Sequence, residues 1–373
     1  IYHLVRARDR RALETTRWIL LAKDYLRFRL TGQIGTELCD ATGTNLIAMP
    51  EQAWSADLCS LLQVPRHKLP EIGRSNQLAG HITPEAARAA GLEPGTPVVY
   101  GGGDSHCALV GLGVIGSAEA GLLLGSNSTL RASFDGPVRP LQQMVWIQQH
   151  VAPGRFTVSA SSMAGSSVLS WFRGVCFEDE QGGAAAYRQL ESLAAGVPAG
   201  SDGLLFHPYL IGERSPFYNP QARGACLGIR HWHTKGHLAR SIMEGVAFSI
   251  ANCMDAIQAI AQKRGERVDI LRTGKSGGSQ LSVWRQIITD ALDRALEVVD
   301  VEEPGCLGAA LLAGVGVGLY EDLESAIRQT VRITTRSLPD AATAARYRDQ
   351  RSLFNETYRA LEPHLYRRTG QPS

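Results

Sequence analysis

The sequence predicts an α/β protein built on a mixed sheet with helices on both faces. Residues 121–161 hold short β-type runs, "GLLLG", "STLRASF", "VWIQQHV" and "RFTVSAS", separated by glycine, proline or polar turns. Residues 268–319 alternate strand "VDILRTG", helix 281–293, strand "LEVVDV" and helix 306–319. Helical patterns at 163–174, 183–195 and 234–263 lie between these two regions. A meander of hairpins followed by alternating units implies one mixed sheet covered by helices.

The first hundred residues read as helical and irregular. "ALETTRWILLAKDYLRFRLTG" (12–32) places apolar residues at helical spacing and stops at Gly32. "TPEAARAAGLEPGTP" is a short helix with Thr83 as its cap, Pro84 in its first turn and Gly91 at its end. The strand "PVVY" follows, then three glycines and a helix starting at Asp104.

Composition narrows the class. Of 373 residues 44% are apolar and 20% charged, and the formal net charge is +2 with the signs interspersed. That balance gives no footprint for nucleic acid and no membrane-seeking surface. Seven scattered cysteines form no C-x-x-C pair, which argues for reduced thiols, a cytoplasmic location and no zinc site. The longest apolar run, "CLGAALLAGVGVGLY" from Cys306, is short and glycine-rich, so it reads as a buried helix. The opening "IYHLVRARDRR" has neither an initiator Met nor a signal-peptide profile and reads as a chain entered mid-domain.

Several motifs fail on context. "GLGVIG" (111–116) fits G-x-G-x-x-G but trails a helix and precedes a strand, the reverse of a dinucleotide turn. "TGKSGG" has Asp269 where a P-loop needs its first glycine. "HWHTKGH" lacks a cysteine or carboxylate partner and reads as a solvated helix entry. By contrast, "YGGGD", "LLLGSNS" and "RTGKSGGSQ" each set a glycine-rich turn after a strand, where unpaired N–H groups can cradle phosphate. On spacing alone Asp104 could cap its helix, sit in a phosphate turn or act as a base.

With those turns in place, the chain resembles the FGGY family of carbohydrate kinases, closest to its xylulokinase branch. The resemblance rests on "LLAKDYLRFRLTG" with "TELCDATGT", on "GGGDSHCALVGLG", on "LLLGSNSTL" and on "YLIGERSPFYNPQARGACLGI". It continues through "GACLGIRHWHTKGHLARSIMEG", "GGSQLSVWRQI" and "CLGAALLAGVG", in the family's order. Cys226 stands where the second family signature expects a larger apolar residue. The resemblance implies actin-like ATPase (ribonuclease H-like) domains around a cleft, with residues 1–115 as the sugar-side domain's back half and 116–368 as a complete nucleotide-side domain. It also implies that a first phosphate loop, a metal-holding aspartate and most sugar contacts lie upstream, in a missing piece that is the better part of one domain of the usual ~100–150 residues.

The activity so implied is ATP-dependent phosphorylation of a ketose, with D-xylulose the expected substrate and Mg2+ carried by the nucleotide. Asp104 would be the general base and would touch the sugar together with Ser105, which stands where xylulokinases carry asparagine. The glycines before Asp104 would let the backbone approach the sugar without a Cβ clash. Gly125, Ser126 and Asn127 would hold ATP phosphates, Gly277, Gly278 and Ser282 the adenosine, and Gly165 and Ser170 would line the nucleotide; no protein metal ligand is expected. The partners implied are a small sugar and ATP, neither nucleic acid nor membrane, and a homodimer is compatible. Alternatives are a kinase for ribulose, glycerol or another polyol, an actin/Hsp70-type nucleotide switch, and a silent sugar-binding homologue. Without the upstream phosphate loop, residues 1–373 are expected to have little kinase activity alone.

Overall fold

A computed structural model describes residues 2–49, 51–141, 144–176 and 184–365. The first part is a set of short elements around helix α1 (Ala22–Thr31), helix α2 (Leu38–Thr42) and helix α3 (Pro84–Ala90). Thr83 caps α3 by accepting from Ala86 N, and Gly91 ends it in the left-handed region (φ 67°). Helix α4 (Asp104–Gly111) follows the glycine run.

The helix expected over 12–32 is broken. A short helix Arg10–Thr15 precedes α1, and the residues between are extended, with Ile19 N donating to the Lys68 carbonyl at 2.8 Å. The reason is the unbroken apolar run "WILL", which a single helical face cannot bury together.

The rest is built on a seven-stranded sheet, with a separate antiparallel pair, Leu205–His207 and Ala225–Leu227, beside it. The strands of the large sheet are β1 (Glu119–Leu124), β2 (Ser128–Asp135), β3 (Trp146–Gln149), β4 (Arg155–Ser162), β5 (Ile270–Thr273), β6 (Ala295–Val299) and β7 (Ile333–Ser337). The order across the sheet is β7-β6-β5-β1-β2-β4-β3, with β6, β5 and β1 mutually parallel and the remaining pairs antiparallel. The simple meander is therefore corrected: β4 lies between β2 and β3. Burial explains the exchange. Six of the eight residues of β4 are buried, whereas β3 is half-buried and has only Gln149 buried, so the more deeply buried strand holds the inner place.

Helices α5 (Ser166–Cys176), α6 (Ala184–Ala195), α7 (Lys235–Lys263), α8 (Ser282–Leu292), α9 (Pro304–Gly316) and α10 (Ala341–Leu365) cover the sheet. The expected helix 183–195 begins at residue 183, outside the described residues, and α6 carries the rest. Helix α7 is apolar almost all round and buries Ile242, Val246, Phe248, Ile250, Met254 and Ile257 against Leu122, Leu130, Phe134 and Val158 of the sheet. Tyr347 and Phe354 of α10 close the same core from outside. At the entry to α7, Thr234 and His237 form a reciprocal capping box, and His237 Nε2 lies 3.2 Å from Asp202 Oδ2. Among the described residues no helix is long and apolar enough to cross a membrane.

Candidate active site

The residues singled out in the sequence fall in two groups, one around Asp104 and one at the ends of β1 and β5. At the first, the chain leaves its strand at Tyr100. The Tyr100 carbonyl accepts from Arg27 Nη1 at 3.3 Å and from Lys23 Nζ at 3.5 Å, both from α1. The Arg27 guanidinium also lies over the Tyr100 ring, 4.6 Å from its centroid. Gly101 turns the chain in the left-handed region (φ 75°). At Gly103 a Cβ would lie 2.7 Å from Asp40 Oδ1, so only glycine fits without displacing that carboxylate.

The cap of α4 is Gly103, and Asp104 is the first helical residue. The capping role for Asp104 is thereby corrected: its Oδ1 accepts only from the adjacent Ser105 N, at 2.6 Å. The Asp104 side chain is exposed, and Ser105 is half-buried. A carboxylate at a helix start is favoured by the exposed N–H groups and the helix dipole.

Asp104 borders a charged cluster that the sequence reading missed. Lys23 Nζ sits 2.8 Å from Asp24 Oδ1, 3.6 Å from Glu37 Oε1 and 3.6 Å from Asp40 Oδ2. Burial pulls the Lys23 ammonium down, but the three carboxylates outweigh it and raise it above its ordinary value. Arg27 adds a second cation on Asp24 at 2.9 Å. Glu37 caps α2 by accepting from Cys39 N and Asp40 N. Burial pushes Glu37 up to about 7, against the pull of Lys23. Burial also raises Asp40, with Asp24 and Asp104 adding to it and Lys23 opposing. Glu37, Cys39 and Asp40 bring ligand atoms within 4.8 Å of one another, yet the Lys23 ammonium already stands between the two carboxylates.

Glu37 yields a pH prediction. Its folded value of about 7 lies above its ordinary 4.5, so its contribution to stability is full below about 4.5 and is lost as pH rises through 7. Glu37→Gln cannot ionise. Urea unfolding is expected to show wild type losing on the order of 2 kcal/mol more than the variant between pH 5 and pH 8. Equal slopes would refute the assignment.

On the inner face of α4, His106 is buried and held neutral, its pKa well below the ordinary value through burial and the nearby Arg131. Arg131 Nη1 lies 3.2 Å from His106 Nε2, and a guanidinium only donates, so Nε2 is the acceptor. Burial lowers Arg131, while Asp104 is among the groups that pull it back up. Lys23 and Asp40 lie in two of the stretches that carry the family resemblance, but their pattern there is that of ordinary helices, and Arg131 sits in an ordinary strand pattern, so none was singled out as a site residue.

At the second group, the parallel pairing of β1 and β5 brings their following turns side by side. Gly277 (φ 59°) is the contact: a Cβ there would lie 2.4 Å from the Leu124 carbonyl oxygen. Gly165 packs onto the other side of the 125–127 turn, where a Cβ would lie 2.6 Å from Ser126 O. Ser166 N donates to Gly125 O at 2.8 Å and Ser167 Oγ to Ser126 O at 2.7 Å.

Beside these turns lies a cleft of about 490 Å³ lined by Ser166, Leu169, Tyr187, Gly277, Gly278 and Trp284, among others. Gly278 rests on the Trp284 ring, and Trp284 Nε1 donates to Met243 O at 3.1 Å. Gly277 and Gly278 thus line the cleft, and Gly125, Ser126, Asn127 and Gly165 form its neighbouring turn. The hydroxyls of Ser170 and Ser282 are engaged elsewhere. Ser170 Oγ lies 2.6 Å from Tyr187 OH, and Ser282 Oγ donates to Glu191 Oε1 at 3.1 Å. Tyr187 and Glu191 were not singled out in the sequence because their helix reads as an ordinary amphipathic one.

Sequence comparison now bears on this arrangement. The model described as "FGGY family of carbohydrate kinases, C-terminal domain" matches residues 122–317, and the one described as its "N-terminal domain" matches 4–111. The chain belongs to the FGGY family of carbohydrate kinases. Among its relatives, the xylulose kinase of Escherichia coli (strain K12) is 30% identical over 346 residues, covering 92% of this chain and 69% of that protein. The gluconokinase of Bacillus licheniformis is 27% identical, covering 91% of this chain and 66% of that protein. The crystal structure of xylulose kinase from Rhodospirillum rubrum superposes with a TM-score of 0.86 at 26% identity, covering 98% of this chain and 72% of that one. The fold is the two-domain, actin-like ATPase fold of these kinases, and the protein is a sugar kinase.

Proposed function

We propose that the kinase transfers the γ-phosphoryl group of ATP to a hydroxyl of D-xylulose, with Asp104 as general base. The observation that carries this reading is an exposed carboxylate, with no cation bridge within 4 Å among the described residues, at the start of a helix fixed by a three-glycine turn. Asp104 would accept the hydroxyl proton as the bond to phosphorus forms, and a weak base suffices because the transition state is loose. Ser105 would stand beside the sugar. Lys23 and Asp40 would hold the turn so that the carboxylate does not move when substrate arrives.

The 125–127 turn would hold the ATP phosphates through its N–H groups. The cleft over Trp284, with Gly277 and Gly278, would take the adenosine, since a Cβ at either glycine would fill its wall. Mg2+ would come with the nucleotide and offset phosphate charge. The residues 1–115 and 116–368 are the proposed sugar-side and nucleotide-side portions.

A coupled ADP-release assay with D-xylulose, ribulose, glycerol and D-gluconate, run on the full-length protein, tests the substrate. We expect kcat/KM for D-xylulose to exceed the others by at least about tenfold. A preference for gluconate would overturn the ketose reading and leave phosphoryl transfer standing. ATP turnover indifferent to every sugar would favour a nucleotide switch.

A further inference from the structure

We propose that Glu213, in the loop after residue 210, is a positioning residue for the nucleotide. Its carboxylate holds the end of β4 in the form that docks on the 125–127 turn. This rests on the reading of that turn and the adjoining cleft as the ATP site.

Glu213 is 1% exposed, and its carboxylate gathers four donors. Oε1 accepts from Met163 N at 2.7 Å and Arg214 N at 2.7 Å. Oε2 accepts from Ser162 Oγ at 2.6 Å and Ser249 Oγ at 3.0 Å. Ser162 and Met163 are the last residue of β4 and the one after it. Ala164 N then donates to Ser162 Oγ at 3.0 Å, and Gly165 and Ser166 close on the 125–127 turn. The carboxylate is therefore two residues from the contact that shapes the phosphate turn, without itself reaching the cleft.

Its own loop is anchored independently. Glu213 and Asn219 exchange backbone hydrogen bonds at 2.9 and 3.1 Å, and Ser215 N donates to Ser161 O at 3.0 Å. The loop therefore stays on the sheet if the carboxylate is changed, while the turn at 162–165 loses its brace.

The other groups facing Glu213 carry no charge at neutral pH. Burial pushes the Tyr209 hydroxyl and the Cys253 thiol well above their ordinary values, and the Arg214 guanidinium lies away over the Trp146 ring. Burial raises Glu213 itself to about 6, against its four donors. Two of those donors are backbone N–H groups, which cannot turn to accept, so only the Ser162 or Ser249 hydroxyl can adapt when the carboxyl is protonated. Glu213→Gln imitates that protonated form at nearly constant volume.

Calorimetric titration of MgATP into wild type, Glu213→Gln and Glu213→Ala at pH 5 and pH 8 tests the role. Each variant is compared with wild type at the same pH, which cancels the protonation of ATP. At pH 8 the Gln variant is expected to bind about threefold and the Ala variant at least about tenfold more weakly. At pH 5 the Gln variant and wild type should converge. A purely structural effect would give one ratio at both pH values, and that result overturns the proposal, as does equal binding by wild type and the Gln variant at pH 8. Should Glu213→Ala fail to fold, the Gln variant alone decides. If wild type binds no ATP at either pH, the nucleotide reading itself falls.

Discussion

Asp104→Asn is expected to leave the fold and ATP affinity intact and to lower phosphoryl transfer by roughly two to four orders of magnitude. The amide keeps the size and hydrogen-bonding reach of the carboxylate but has no lone pair basic enough to take a hydroxyl proton. Stability should change by no more than about 0.5 kcal/mol, because Gly103 caps the helix and the Asp104 side chain bonds only its neighbour. The measurement is steady-state kinetics with sugar in the full-length protein, beside thermal unfolding and ATP titration. Turnover within about threefold of wild type would remove Asp104 from the mechanism. Loss of turnover together with loss of fold would mean that the exposed carboxylate holds structure, against the geometry described above.

Gly308→Val is expected to destabilise the protein by about 3 kcal/mol and to abolish activity with it. Helices α4 and α9 touch backbone to backbone. A Cβ at Gly308 would lie 1.8 Å from the Cys107 carbonyl oxygen, and one at Gly111 would lie 2.0 Å from the Pro304 carbonyl oxygen. Neither carbonyl can swing aside like a side chain, so the two helices must part and Asp104 shifts with them. Ala309→Val, one residue on and on the exposed face, is the control. It should cost only the helix propensity of a β-branched residue, about 0.5 kcal/mol. Urea denaturation of the two variants reads the difference, and similar midpoints would show that the close contact is dispensable.

That contact also illustrates what sequence could and could not reveal. The glycine and alanine run from Cys306 pointed to a buried helix; the helix is α9, which buries Gly308, Leu311 and Leu312 but leaves Ala309 and Ala310 exposed, and nothing in the run said which helix it meets. The strands and helices of 268–319 were legible because their apolar period and turn residues agree locally. The inner position of β4 was not, since strand order depends on a comparison of burial between segments far apart. The same holds for the site. Gly277 and Gly165 announce themselves by type, because close backbone approach demands glycine. Lys23, Asp40 and Glu213 act through partners 14, 63 and 51 residues distant, and a charged residue within a helix or loop pattern carries no mark of a distant partner. Ser170 and Ser282 show the converse. Their positions resemble those of the family, yet their hydroxyls are committed to Tyr187 and Glu191.

The seam between α4 and α9 sets how the molecule can move. Asp104 falls in the stretch matched by the family's N-terminal description, yet its helix is clamped by α9, which falls in the C-terminal one. Cys39, Cys107, Val151, Leu311 and Leu312 form one apolar cluster across that border. Asp104, the proposed base, is therefore fixed through its helix to α9, and Cys39 ties the segment before the Tyr100–Gly103 turn to the same cluster. A nick in the 112–118 connection would cut the chain and still leave the two pieces bound as one body.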